Sequence, residues 1–471
     1  MRVAALFVAA VLVLAVSVAP AAAAMNPPNI IFILSDDVGY GDLGCYGQEN
    51  FTTPRLDRMA AEGMRFTQHY TGSTVCAPSR ACLLTGQHTG HVYQRANGPH
   101  QFRANPQDLT IATRLQGAGY HTAMIGKSGL SCETSEPGLP NAKGFHHFFG
   151  YLGHRDAHRY YPTHLWQNGQ RVDYAGNQGK EGVTYSGEVF LADTLRYLDE
   201  RAEAGGPFFL HLSLQQSHAD LQAPDKWRRK FIGKYEEPPF REQKFYRSEA
   251  HPKATYAAMM AYLDHTVGKV LDKLAERGLA ENTLVLFASD NGAMSEGGWS
   301  RQYFNSSGPL TGGKRDLYEG GIRTPLIAWW PGKVQPGGVT DHVSAFWDFA
   351  PTACEIAGAS PIDNTDGVSY LPTLLGKPGE QKTHNYLYWE FYEQGGKQAV
   401  RVVGPPGGPQ WKGVRLGVRK DRDAPIELYD LANDLAEQNN VAVDHPEVVA
   451  KVEAMMDEAH TPSPVVSFSK R

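Results

Sequence analysis

Continuous apolar runs, rather than alternating ones, mark the chain as far as residue 330. Residues 29–34 read Asn-Ile-Ile-Phe-Ile-Leu and stop at Ser35-Asp36-Asp37, and similar strands are read at 120–125, 208–214, 284–288 and 326–330, the first two of these interrupted by His121-Thr122 and by His211 and Ser213. A strand that is apolar on both faces is buried on both faces, as in a parallel sheet covered by helices. Helical periodicity lies between the runs, most clearly over 255–277. There Leu263, Val267, Val270, Leu271 and Leu274 share one face and Gly278 supplies the stop. Strands alternating with helices predict an α/β fold built on a large, mostly parallel, doubly wound sheet. The texture changes near His384. Short extended segments at 385–391, 412–418 and 426–431 surround the stretch Gly404-Pro405-Pro406-Gly407-Gly408-Pro409, and a polar helix is expected over 446–460. This predicts a small C-terminal antiparallel sheet with one helix, dividing the chain into 25–383 and 384–471.

Sheets of this kind bind ligands beyond the carboxyl ends of their strands. Polar residues collect there: Asp36 and Asp37 after the first run, Lys127 after the second, His218 after the third, Asp290 and Asn291 after the fourth. Paired aspartates also make caps and turns, but four strand ends together are better read as a site. Oxygen donors of this type suit calcium or magnesium rather than zinc. The formal net charge of −5 gives no reason to expect nucleic acid as a partner, and an anionic substrate would need a local cluster of cations.

The first 24 residues form a separate module. Arg2 precedes an apolar run over 3–18 and then Ala19-Pro20-Ala21-Ala22-Ala23-Ala24, the layout of a cleaved secretory leader over 1–24. The run is short for a membrane span, and no later stretch is long and apolar enough. The expectation is an exported protein, periplasmic or secreted, with no membrane attachment after cleavage. Export permits disulfides, yet Cys45, Cys82, Cys132 and Cys354 match no compact scaffold, and at most one bridge is expected.

The fifth cysteine stands in Cys76-Ala77-Pro78-Ser79-Arg80, followed by Ala81-Cys82-Leu83-Leu84-Thr85-Gly86. At ordinary residue frequencies a Cys-x-Pro-Ser-Arg string arises in on the order of one chain in a thousand. With the strand-end residues, it makes nearly the whole mature chain resemble the type I sulfatase family of the alkaline-phosphatase superfold. The resemblance implies that a formylglycine-generating or other sulfatase-maturing enzyme oxidises Cys76 to formylglycine. It further implies Asp36, Asp37, Asp290 and Asn291 as Ca2+ ligands, with position 76 as a further metal contact and Arg80 stabilising the formylglycine. Lys127, in Ile125-Gly126-Lys127, and Lys314, in Gly312-Gly313-Lys314-Arg315, match the two sulfate-binding lysines; His218 matches the histidine that assists the leaving oxygen. The segment Glu427-Leu428-Tyr429-Asp430-Leu431 matches the small C-terminal unit. The implied activity is hydrolysis of a sulfate ester, and export tilts the substrate toward sulfated polysaccharide or oligosaccharide.

One departure matters. The family's usual string is Gly-Lys-Trp-His-Leu-Gly, whereas this chain reads Gly126-Lys127-Ser128-Gly129-Leu130-Ser131. The histidine expected to help release sulfate is replaced by Gly129. His158 and His154 are the leading substitutes, in a segment that resembles the substrate-side insertion of such enzymes, with His88 and His91 behind them. Arg155, Arg159, Trp166, Trp299 and Arg301 are candidates for a saccharide subsite. Two other readings stay open: a phosphoester or phosphonate hydrolase of the same superfold, and a non-catalytic saccharide-binding relative suggested by Ser128 and Gly129.

Overall fold

The computed structural model describes residues 27–98, 101–131, 137–178, 182–243 and 246–468; the leader read at 1–24 and Cys132 lie outside them. The main sheet comprises β1 (Asn29–Ser35), β2 (Met64–Tyr70), β3 (His121–Lys127), β4 (His147–Tyr151), β5 (His164–Gln167) and β6 (Gln170–Asp173). It continues with β7 (Phe208–Ser213), β8 (Thr283–Ser289), β9 (Arg323–Trp329), β10 (Gly338–Thr340) and β11 (Ser344–Ala345). Their spatial order is β10-β2-β9-β8-β1-β7-β3-β4-β5-β6, with β11 beside β2. The centre, β8-β1-β7-β3-β4, is parallel throughout.

The apolar runs have the cause inferred for them. In β1, Ile30, Phe32 and Leu34 enter one core while Ile31 and Ile33 enter the core on the opposite face. Each such side chain contributes about 1.5–3 kcal/mol on burial. Helices Cys76–Thr85, Ile111–Gly117 and Phe349–Ala357 pack on the first face; Pro54–Glu62, Ser186–Ala204 and Pro252–Glu276 pack on the second. Helix Pro252–Glu276 begins with proline in its first turn and stops before Gly278, whose φ is +66°. The run at 326–330, read with the parallel strands, belongs to β9, which is antiparallel to both β8 and β2.

A second sheet orders β12 (Tyr386–Phe391), β13 (Lys397–Val402), β14 (Trp411–Leu416) and β15 (Ile426–Asp430) as an antiparallel meander, followed by helix Pro446–Ala459. One face carries Tyr388, Val400 and Leu428 against Val452 and Met456 of that helix. The other, with Leu387, Trp389, Phe391, Ala399 and Val414, enters the same core as the main sheet. Trp389 Nε1 donates to Thr71 O at 2.8 Å, and buried Lys412 bridges Glu319 and Glu437 at 2.9 and 2.8 Å. Cys45, Cys76, Cys82 and Cys354 are free thiols.

Candidate active site

Because β8, β1, β7 and β3 are neighbours, their carboxyl ends bring distant stretches of sequence together. Asp290 N–H donates to Ser35 O at 3.1 Å, and Asp36 N–H donates to Gln216 O at 2.8 Å. Asp37 adopts φ +64°, a left-handed turn that aspartate tolerates better than most residues. Its backbone N–H donates to Asp290 Oδ1 at 3.2 Å. Its side chain then meets Lys314 Nζ at 2.7 Å, Asn291 Nδ2 at 2.7 Å and His218 Nε2 at 3.5 Å. Asp36 receives Lys127 Nζ at 2.6 Å and Arg80 Nη2 at 3.4 Å.

The helix Cys76–Thr85 is buried along its entire length and opens with Cys76. Ala77 N–H is satisfied by Asn97 Oδ1 at 3.1 Å. Cys76 Sγ lies 3.5 Å from Asp36 Oδ1, and Asp36, Asp37, Cys76 and His218 each place one potential ligand atom within 4.8 Å of the others. Arg80 forks onto Asp290 Oδ2 through Nε at 2.9 Å and Nη2 at 2.7 Å, while Nη1 contacts Ser213 Oγ and Lys127 O. Ser213, at the end of β7, was not singled out from the sequence, although its polar position at a strand end is the same signal that exposed Asp36 and Asp290.

Charge in this enclosure is strongly coupled. Burial opposes ionisation of Asp36, but Lys127, then His218 and Arg80, hold its carboxyl well below the ordinary range. Burial pushes Asp37 up to about 7, with Lys314 opposing and Asp36 and Asp290 reinforcing the rise. Asp290 is also raised, by burial and then Asp36. Asp36 thus raises both Asp37 and Asp290, and a cation among the three would relieve that repulsion. Asn291 Oδ1 is buried without a hydrogen-bond partner, as a metal-ligating oxygen would be. The donor set therefore fits a hard divalent ion held by Asp36, Asp37, Asp290 and Asn291. Burial, then Asp36, raises the Cys76 thiol far above its ordinary value, so an unmodified thiol is protonated and a weak nucleophile.

His218 departs from the near-neutral acid expected of a leaving-group partner. Burial, then Lys314 and His158, hold its pKa well below the ordinary imidazole range. Its Nδ1 donates to Ala219 O, which leaves Nε2 to exchange protons. His158 lies beside it with ring centroids 4.2 Å apart and is itself pushed down to about 3, by burial and then Lys127 and Lys314. His154 is lowered by burial and then Lys127, with Asp36 and Arg80 also in its field, and its Nδ1 is buried without a partner.

Gly129 has a structural reason. Its φ is +70°, and a Cβ there would fall 2.9 Å from Arg80 Cδ. A histidine at this position would be strained and would press on the arginine that orders the carboxylates.

The remaining candidates divide. Trp299 is 4% exposed and stacks on Tyr256 with centroids 3.7 Å apart, so it is core rather than a sugar platform. Trp166, on outlying strand β5, likewise packs against the core. His88 and His91 form a separate cluster on Asp366, stacked at 4.3 Å. Gly90 N–H donates to His88 Nδ1 at 3.0 Å, leaving the proton on Nε2, so this is a clasp rather than a reserve base. Arg155 and Arg159 are exposed. Arg301 lies against Gly313, where a Cβ would fall 1.6 Å from its Nη1.

The chain is similar to known proteins over most of its length. The Sulfatase family profile matches residues 28–359, and that of N-sulphoglucosamine sulphohydrolase, C-terminal, matches 312–461. N-acetylgalactosamine-6-sulfatase of Canis lupus familiaris is 32% identical over 431 residues, covering 82% of this chain and 77% of that protein. Arylsulfatase A of Homo sapiens is 34% identical over 415 residues, covering 83% and 76%. Among solved structures, Ps i-CgsB in complex with k-i-k-neocarrahexaose superposes with a TM-score of 0.75 at 25% identity, over 92% of each chain.

Proposed function

The chain belongs to the sulfatase family, and on that premise we propose that it is an exported, Ca2+-dependent enzyme that removes sulfate from a saccharide, using Cys76 converted to formylglycine. Its reaction class is sulfuric ester hydrolysis. The observation that carries the finer reading is the place of Cys76: first residue of a buried helix, 3.5 Å from Asp36, with a thiol too basic to act as it stands. Once converted, position 76 supplies a hydrated aldehyde whose two hydroxyls serve in turn to attack sulfur and to release sulfate. Asp36, Asp37, Asp290 and Asn291 would hold the ion, which neutralises charge on the sulfate oxygens.

The other residues act by position and field. Lys127 and Lys314 hold the sulfate from opposite carboxylates, Asp36 and Asp37. Sulfate transfer resembles phosphoryl transfer, so fixed cations around the equatorial oxygens do most of the stabilising. His218 delivers a proton from Nε2 to the leaving oxygen. Its low pKa in the free site stems from burial and from Lys314, and the bound sulfate's negative charge opposes that lysine's field. His154, in the field of Lys127, Asp36 and Arg80, takes the base's place left by Gly129, and His158 lines the substrate side against His218.

The role of His218 is tested by leaving-group dependence. His218→Ala is expected to lower kcat/KM about 10²- to 10⁴-fold on a sugar sulfate, whose alkoxide needs a proton, and far less on 4-nitrophenyl sulfate. Equal losses on the two esters would remove His218 from the acid's role.

A further inference from the structure

The loop that delivers Lys314 carries a strain that holding sulfate does not require. Arg315 has φ +75°, a left-handed conformation that glycine adopts freely and that a long side chain seldom does. Two hydrogen bonds hold it there: Arg315 N–H donates to Thr74 O at 3.1 Å, and Arg315 O accepts from Lys397 Nζ at 2.7 Å. The result is to turn the guanidinium onto Glu296, with which it is ion-paired, and to within 3.9 Å of Glu393, between β12 and β13. The Arg315 and Glu296 side chains remain 29% and 19% exposed. Partly exposed ion pairs stabilise a fold little, so the pair does not by itself account for the strain. Arg315 directly follows Lys314, whose Nζ lies 2.7 Å from Asp37, and Glu296 acts electrostatically on Asp37, His158 and Lys314, which places the pair beside the sulfate site on the side of His158. Strain held by surrounding contacts next to a reaction centre points to function.

We infer that Arg315 and Glu296 are the specificity-determining pair for the sugar that bears the sulfate. Arg315 donates through its planar fork to oxygens of that ring, and Glu296 accepts from a hydroxyl beside the ester. The substrate class is thus a saccharide sulfate with a free hydroxyl next to the esterified position, as distinct from an aryl sulfate, which offers no such partner. A site built to hydrogen-bond a substrate hydroxyl discriminates strongly against analogues that lack it. This inference rests on the sulfatase reading.

The test is Arg315→Gly, which suits the left-handed backbone, with Glu296→Gln as a second variant that preserves shape. Each is assayed on a panel of hexose and N-acetylhexosamine monosulfates and on 4-nitrophenyl sulfate, with a thermal melt. The expected result is a loss in kcat/KM on the sugar sulfate at least tenfold greater than on the aryl ester, mostly in KM. The melting temperature of Arg315→Gly should equal or exceed that of the unmutated enzyme. Equal losses on both esters would make the pair a support for Lys314 and overturn the inference, as would no loss on the sugar sulfate. An unmutated enzyme that turns over the aryl ester and no sugar sulfate would also overturn it. Turnover of neither would instead overturn the sulfatase reading, and this inference with it.

Discussion

Cys76→Ala is expected to lower kcat/KM by about 10⁴-fold or more, the scale seen when a covalent nucleophile is removed, while the protein folds normally. Cys76 is 1% exposed at the start of a helix whose other residues are also buried. Loss of one sulfur atom there leaves the helix, its Asn97 contact and the Arg80 network in place. Sulfated ligands should still bind, because Lys127 and Lys314 are held by Asp36 and Asp37 rather than by Cys76. Steady-state assay with calorimetric binding of a sulfated sugar separates the two effects. Turnover within tenfold of the unmutated enzyme would place the nucleophile elsewhere and would favour a water-based hydrolase of the same superfold.

The largest effect on stability is expected at Arg80. Its guanidinium is fully buried and lies 2.7 and 3.4 Å from Asp290 and Asp36. Removing one partner of a buried ion pair costs about 3–5 kcal/mol, because the remaining charge is left without compensation. Arg80→Ala should therefore be destabilised by about that amount in chemical denaturation without added metal. Calcium should reduce the deficit, since an ion on Asp36 and Asp290 replaces part of the lost positive charge and binds only the folded chain. A loss under about 1 kcal/mol would mean the arginine contributes no more than a surface pair, and a deficit indifferent to calcium would argue against the ion's place on these carboxylates.

The parts of the fold legible in the sequence are those where one element alone carries the signal. The middles of β1 and β8 are apolar throughout, and that of β7 is apolar but for buried His211, because cores cover both faces of the sheet, and such a run needs no partner to be recognised. Strand direction is not written in such a run, so β9 could not be told from its parallel neighbours. β2 carries a weaker signal because its buried Met64 and Phe66 alternate with the less buried Arg65 and Thr67, and β13 does because Lys397, Gln398 and Arg401 interrupt it while buried in polar contacts.

The site follows the same division. Strand-end carboxylates and the Cys76 string are local features: Asp36 and Asp290 directly follow β1 and β8, and Cys76 opens its helix. The reason for Gly129 is not local: it depends on a positive φ and on Arg80 passing 2.9 Å from where a Cβ would lie. Trp299 looked available for sugar because its stacking partner Tyr256 is 43 residues away in sequence. The Arg315–Glu296 pair escaped notice because nothing in Gly-Gly-Lys-Arg-Asp announces a left-handed arginine.

The most direct test of the account is peptide mass spectrometry across Cys76 on protein purified from its native host. Formylglycine at position 76 is the predicted result, and it would supply the nucleophile around which Asp36, Lys127, Lys314 and His218 are arranged. Unmodified cysteine in every molecule would contradict the account, because a buried thiol with a raised pKa cannot perform the reaction, and the reading as a saccharide-binding relative would then take its place.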